Sequence, residues 1–175
     1  VVTNTDSSYF TMTSDPDTQL FVNGIKKVFT FDSSRRVVSV TYQYGDSLQW
    51  LNSSKHDLSY DSNSNIGTLA ISSWSDFHNA WINYSCDSTL YLATGQLIRS
   101  AQYLWDTLST TWMIRESHDY SFDLNGQILQ NTYLQFSSTG SISNGTQSIS
   151  TYNASGMRTA LYSLQYDTVY SYWKN

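Results

Sequence analysis

Ring side chains punctuate this chain at a steady interval, and a polar turn follows each one. From His118 to Leu129 the sequence HDYSFDLNGQIL reads as a strand end (Asp119–Phe122), a tight turn (Asp123–Gly126) and a strand start (Gln127–Leu129). Copies of the phrase run from Val28 to Val38, His56 to Ile66, Asp87 to Ile98 and Ile149 to Arg158. Aligned on the aromatic before the turn, they place Phe31, Tyr60, Tyr91, Phe122 and Tyr152 at intervals of 29, 31, 31 and 30 residues. In the third copy Leu90 serves as well as Tyr91. A period that steady marks a repeat architecture.

Two more anchors fix the strands. Trp50, Trp81, Trp112 and Ile142 lie ten residues before the first anchor. Gly45, Trp74, Trp105, Phe136 and Tyr166 lie fourteen after it. One repeat is then two strands of about ten residues, a tight turn and a slightly longer loop. An even offset predicts one strand face for Trp50, Asn52, Ser54, His56, Leu58 and Tyr60, and an equivalent face for Trp112, Ile114, Glu116, His118, Tyr120 and Phe122. Rows of Trp50, Trp81 and Trp112, and of Tyr60, Tyr91 and Phe122, are expected to form an aromatic core. The turns Asp123–Gly126, Asn153–Gly156 and Ala93–Gly95 offer Gly where a positive φ is needed; Asp32–Arg35 and Asp61–Ser64 lack it and are expected to be looser.

The predicted fold is all-β: tandem hairpin repeats of about 30 residues in an antiparallel meander, either open and coiled or closed into a barrel or two layers. Residues 1–26 form a lead-in. Within it, Asn23-Gly24 in Leu20–Ile25 signals a hairpin, and Val1–Ser14 reads as a lead-in strand or frayed tail. Residues 27–175 hold about five repeats in a single domain. The pattern stops partway through a repeat at Trp173, as if cut from, or docked onto, something longer.

Composition narrows the classes. Charged residues make up 13% of the chain, about half the usual share, while 14 Tyr, 6 Trp and 7 Phe favour strands. With 9 Lys plus Arg, a net charge of -5 and no basic cluster, no nucleic-acid partner is expected. No apolar run reaches the roughly 18 residues of a membrane helix. The single Cys86 excludes an internal disulfide. A surface rich in Ser, Thr, Tyr and Asn and poor in Lys leans towards export, with Val1 readable as a mature terminus.

The Y-D-x-x-G phrases YSFDLNGQI (Tyr120–Ile128) and HDLSYDSNSNI (His56–Ile66) resemble the YD-repeat family of secreted β-hairpin repeats. The elements WSDFHNAW (Trp74–Trp81) and WDTLSTTW (Trp105–Trp112) are similar to tandem repeats of exported Bacteroidota proteins. The resemblance covers about Lys27–Asn175 and implies a secreted or outer-surface location with no defined activity. The period near 30 is longer than the YD spacing, and two turns lack Gly. Asp-Ser/Thr-apolar triplets at Asp46, Asp106 and Asp167 resemble Bacteroidota O-glycosylation sites.

No catalytic constellation stands out. His56 and His118 share one repeat position, which points to a structural role, and His78 falls in a loop. A Cys86–His nucleophile pair is opposed by strand alternation, which turns Cys86 away from Trp81 and Tyr91. Acid pairs for glycoside hydrolysis would need Glu116 with turn residues such as Asp61 or Asp123. No metal spacing, phosphate loop or nucleophile elbow is present, so neither metal nor cofactor is expected. The sequons at Asn52, Asn83, Asn144 and Asn153 are common in so Ser/Thr-rich a chain. The expectation is a non-enzymatic structural or adhesive module whose partners are neighbouring repeats or other proteins of a surface assembly. The alternative is a carbohydrate-binding module, with Trp74, Phe77 and Trp105 as the ligand-binding candidates.

Overall fold

The computed structural model describes residues 5–7, 11–14, 21–45 and 49–175, with side chains from Gly24 onward. Residues 1–4, 8–10 and 15–20 of the lead-in and the triplet at Asp46 lie outside the described residues. The strands are β1 (Thr5–Ser7), β2 (Thr11–Ser14), β3 (Phe21–Phe31), β4 (Val37–Gly45), β5 (Trp50–Tyr60), β6 (Ile66–Ser75), β7 (Ala80–Tyr91), β8 (Leu97–Asp106), β9 (Thr111–Phe122), β10 (Ile128–Phe136), β11 (Ile142–Tyr152), β12 (Arg158–Asp167) and β13 (Tyr172–Lys174). No helix occurs among the described residues. Two compact units are present: residues 1–59 with 68–85, and residues 60–67 with 86–175. In the first, strands follow the order β1-β3-β4-β5-β6-β7, with β2 also on β3 and β7 included as far as Ser85; the second holds Cys86–Tyr91 of β7 and the order β8-β9-β10-β11-β12-β13. The described pairings are antiparallel. Each unit is an open meander, and neither closes into a barrel.

The repeat phrase sets these boundaries. Strands end at Phe31, Tyr60, Tyr91, Phe122 and Tyr152, which settles the third anchor as Tyr91. Each turn that follows has one backbone form. In the second unit Gly126 N–H donates to the Asp123 carbonyl and Asp123 N–H to the Gln127 carbonyl. The residue three after the turn start is left-handed: φ is 82° at Gly126 and 80° at Gly156.

The turns without Gly are not looser. Arg35 and Ser64 adopt the same conformation, at φ 63° and 66°, with the same pair of backbone bonds. The carboxylates explain it. Asp32 Oδ1 accepts the N–H groups of Ser34 and Arg36, and Asp61 Oδ1 those of Asn63 and Asn65. In these two turns Oδ2 also accepts a side-chain bond, from Arg36 Nε or Asn65 Nδ2. The added bonds offset a left-handed penalty of about 1–2 kcal/mol.

The expected strand faces are overturned by β-bulges. On β9, Ile114 pairs with Tyr103 and Glu116 with Gln102, so Arg115 is an extra residue. Trp112 and Ile114 therefore share a face with Ser117 and Asp119, while Glu116, His118 and Tyr120 turn to the other. On β5 the extra residue is Ser53, which puts Trp50 and Asn52 on a face with Lys55 and Asp57, opposite His56. Further bulges at Val38, Leu129 and Thr159 sit just past the tight turns. They recur with the repeat.

Two other expectations fail. Asn23-Gly24 makes no turn: both residues lie inside β3, paired with Thr13 and Met12, and Gly24 also pairs with Gly45. Strand partners on both sides satisfy more backbone groups than an isolated turn does. Nor is there an aromatic core. Ala101, 6% exposed, is the only buried hydrophobic side chain among the described residues. Trp74, Trp81, Trp105, Trp112 and Trp173 each meet a ring within their own loop-linked strand pair.

A ladder of side chains joins neighbouring turns. Gln96 Nε2 donates to the Gly126 carbonyl, and Gln127 Nε2 to the Gly156 carbonyl. A Cβ at Gly126 would come within 2.9 Å of Gln96 Nε2, whereas one at Gly95 meets nothing within 4 Å. Gly95→Ala is expected to lose only the left-handed term, about 1–2 kcal/mol, and Gly126→Ala to lose more. Asp123→Ala, which strips the acceptor from two backbone N–H groups, is expected to lose about 1–2 kcal/mol. Urea denaturation checks the series; equal midpoints for the two glycine variants would show that the Gln96 bond contributes nothing.

Candidate functional site

Three of the loops on the edge opposite the tight turns share one design. Each starts from a strand-end ring and returns to a Trp seven residues later: Trp74–Trp81, Trp105–Trp112 and Tyr166–Trp173. The two rings meet edge to face, with centroids 5.1, 5.1 and 5.2 Å apart and interplanar angles of 69°, 72° and 71°. Two residues before each Trp the backbone is left-handed, at Asn79, Thr110 and Ser171. The residue after the first ring caps the loop. Asp106 accepts the N–H groups of Leu108 and Ser109, Asp167 those of Val169 and Tyr170, and Ser75 Oγ that of His78.

The tips point apolar side chains at solvent. Phe77, Leu108 and Val169, each three residues after the first ring, are 92%, 94% and 80% exposed. Of the three candidates, Phe77 is thus an exposed tip. Trp74 and Trp105 are half-buried, each held against its partner indole. Trp74 and Phe77 belong to the first unit and Trp105 to the second.

Trp105 borders a groove of about 500 Å³ that also touches Leu104, Met113, Ile114, Arg115 and Phe136. It opens where β9 and β10 part: their pairing runs only as far as Glu116 with Gln135, next to the Arg115 bulge. Its volume and apolar lining suit a small ligand. Met113, Ile114 and Phe136 were not among the ligand-binding candidates read from the sequence, yet a signal was there. The residue two after the strand-opening anchor is Asn in three repeats (Asn52, Asn83, Asn144) and Ile114 in the fourth. Those three Asn side chains accept bonds from Gln43, Ser72 and Gln165.

The bulge at Arg115 also creates a polar cleft of about 140 Å³, lined by Asp87, Thr89, Gln102, Glu116 and His118. Gln102 Nε2 donates to Asp87 Oδ1, and Tyr133 Oη to Glu116 Oε2. Burial, and then the Glu116 carboxylate, push the Tyr133 hydroxyl above its usual range. The His118 ring lies 4.6 Å from that of Tyr133, as His56 lies 4.8 Å from that of Tyr42. Burial lowers the His56 pKa, so its neutral form is favoured. Cys86 Sγ contacts the Asp87 carbonyl, and burial first and Asp87 second raise its pKa; a protonated thiol is a poor nucleophile. No group of His, Cys, Asp and Glu among the described residues is arranged to hold a metal.

No protein-family profile matches the chain, and no curated protein sequence does. Among solved structures it is similar to a DUF3836 family protein from Bacteroides vulgatus, at 21% identity and a TM-score of 0.42, over 47% of this chain and 83% of that one. It is also similar to a protein with unknown function from Bacteroides fragilis, at 11% identity and 0.40, over 89% and 91% of the two chains. A DUF3836 family protein from Parabacteroides distasonis aligns at 10% identity and 0.39, over 63% and 90%.

The loop caps set a pH dependence. Its bond from the Ser109 hydroxyl, and then Leu108 N–H, hold the Asp106 carboxyl below its ordinary 3.8. Lys174, and then Tyr170 N–H, do the same for Asp167. A carboxyl lowered on folding contributes order that is complete above its unfolded pKa and lost as pH falls through the folded one. Near-ultraviolet circular dichroism of the coupled Trp105–Trp112 pair is therefore expected to hold from neutrality to about pH 4 and to decline below it. Asp106→Ala is expected to weaken the signal already at neutral pH; a signal that ignores both acid and the substitution would show that the cap does not order the loop.

Proposed function

We propose that this chain is a non-enzymatic, exported repeat module of the YD-like kind, acting by surface contact as a structural or adhesive part of an assembly at a bacterial surface. The observation that carries this is the recurrence of a solvent-facing apolar residue at one position of three loops, Phe77, Leu108 and Val169. Exposing an apolar tip has no folding benefit, and single instances are common. The feature recurs at one repeat position, once in the first unit and twice in the second, each time above a fixed ring pair, and this supports a contact role. Burying such a side chain against a partner contributes about 1.5–3 kcal/mol. That corresponds to roughly tenfold in affinity per tip, or more.

A sensor coated with cell-envelope fragments of a Bacteroides species tests it. The wild-type protein is expected to be retained, and Leu108→Asp with Val169→Asp to be retained at least tenfold less. Absence of wild-type retention, or equal retention of the variant, overturns the reading. Turnover of a glycoside panel that vanishes in Glu116→Gln would overturn its non-enzymatic part.

The groove beside Trp105 favours a second reading, glycan binding, with Phe77 as a further stacking surface in the first unit. It expects polysaccharide to quench tryptophan fluorescence, less so in Trp105→Ala. No quenching across a glycan panel removes it.

A further inference from the structure

We infer that the groove beside Trp105 binds an extended peptide, which adds a short strand to the open edge of β9 at Thr111–Ile114 and sets an acidic side chain against Arg115. The direction of the backbone defines that edge. Asp123 N–H donates to the Gln127 carbonyl, so the polar groups of Asp123 face β10. By alternation those of Ser121, Asp119 and Ser117 do the same, and those of Glu116 face β8. The Arg115 bulge resets the alternation. Met113 then faces Leu104 of β8, and Trp112 and Ile114 turn their N–H and C=O groups away from β8. On that side β10 has already ended its pairing, at Glu116 with Gln135. Trp112 and Ile114 thus meet no strand on their outer side among the described residues.

The next repeat shows how such a gap is closed. Strand β11 parts from β12 in the same way, beyond Thr146 with Gln165. There the neighbouring rings close in on a glycine: a Cβ at Gly145 would lie 3.1 Å from Tyr166 Cβ and 3.2 Å from Trp173 Cη2. Strand β9 carries Arg115 at the position of Gly145, and the loop beside it carries Ile142 at the position of the Trp. That connection is also the tight turn Ser137–Ser141 rather than a ring loop. No indole comes from that side, and about 500 Å³ stays open along the β9 edge.

Three features select the occupant. Outward backbone groups recur at every second residue, about 6.8 Å apart, which is the spacing of an extended peptide. The walls are apolar on both faces of the strand, Trp105 and Ile114 on one and Leu104 and Met113 on the other. The charges suit an acid. Arg115 makes no ion pair among the described residues. Asp106, the other charged residue of the groove, already accepts the N–H groups of Leu108 and Ser109 and the Ser109 hydroxyl. A neutral saccharide of the same volume lacks both the period and a partner for Arg115. Continued antiparallel, as in the sheet itself, the segment reads acidic, apolar, any, apolar from the Arg115 end. The contact is well below a standard interface, so binding is weak. It goes beyond the loop-tip contact and does not depend on it.

Amide NMR of the full chain, titrated with the peptide acetyl-EVTVT-amide to about 1 mM, tests it. The largest shifts are expected at Trp112, Ile114 and Arg115. Methylating the amide nitrogens of both peptide valines removes the donors that pair with Ile114 and Trp112, and is expected to weaken binding by about tenfold or more. Replacing the peptide's glutamate by glutamine is expected to weaken it by about two- to fivefold. Ile114→Asn, which places there the residue that three other repeats hold, is expected to keep the circular dichroism spectrum and bind about tenfold less. Should that variant unfold, the peptide variants still decide. No shift at about 1 mM, shifts confined to residues away from β9, or equal binding of the methylated peptide overturns the inference. So does a neutral polysaccharide that shifts Trp105 and Ile114 where the peptide shifts nothing, an outcome that leaves the glycan reading standing.

Discussion

A layer of strands with almost no buried core holds its register only if each hairpin fixes its own. In a sandwich, slipping a strand by one residue drives its apolar face out of the core, and that loss enforces the register. Here the described residues include only Ala101 as a buried hydrophobic, so the penalty is small. The tight turns take over the task. In four of the five an Asp or Asn at the first position accepts two backbone N–H groups, the fourth residue turns left-handed, and the strands on either side can meet in one way only. The Gln96 and Gln127 bonds then tie one turn to the next. Each contributes about 1 kcal/mol. Their effect is multiplied by recurrence, because in a repeat chain stability accumulates from units and their nearest-neighbour contacts.

The two edges of the meander divide the work. The tight-turn edge satisfies its own backbone groups. The loop edge is held by edge-to-face ring pairs, worth about 0.5–1.5 kcal/mol each beyond their burial. Those pairs fix the loop ends while the intervening residues stay outside the sheet. Asp106 and Asp167 then order the loop backbones without covering them. A loop with a rigid base and an ordered backbone can present an apolar tip such as Leu108 at little entropic cost on binding. The β10–β11 connection departs from this: Ser137–Ser141 is a tight turn with Gly140 left-handed, and Phe136 pairs directly with Ile142. One of the ring loops is thereby missing, and the groove beside Phe136 lies at that place.

Much of this was legible in the residues, for a physical reason. Strand ends and turns are local, and Asp123-Leu-Asn-Gly or a Trp seven residues from another ring carries its own geometry. The bulges were not legible. Arg115 and Ser53 are extra by the register of a partner strand, and nothing in their own chemistry announces it. Face assignments made by counting twos therefore failed just beyond them. The asparagine-glycine pair at Asn23-Gly24 failed for the converse reason: a strong local turn signal gave way to strand partners on both sides. The Trp105 groove was half visible, since Ile114 breaks a run of asparagines.

The bulges also explain why polar chemistry gathers where it does. Were β9 regular through Arg115, Glu116 and His118 would share the face of Trp112. Moving the register by one residue hands Glu116 to Gln135 and Tyr133, and His118 to the Tyr133 ring, while Ser117 is drawn under the tryptophan face. A one-residue insertion thus sorts a mixed strand into an apolar end beside the loop and a polar stretch beside the turn. In a sheet with no core to sort residues by burial, sequence alternation alone cannot do this. The bulge substitutes for the missing second layer, and its recurrence with the repeat makes it as much a part of the fold as the turns are.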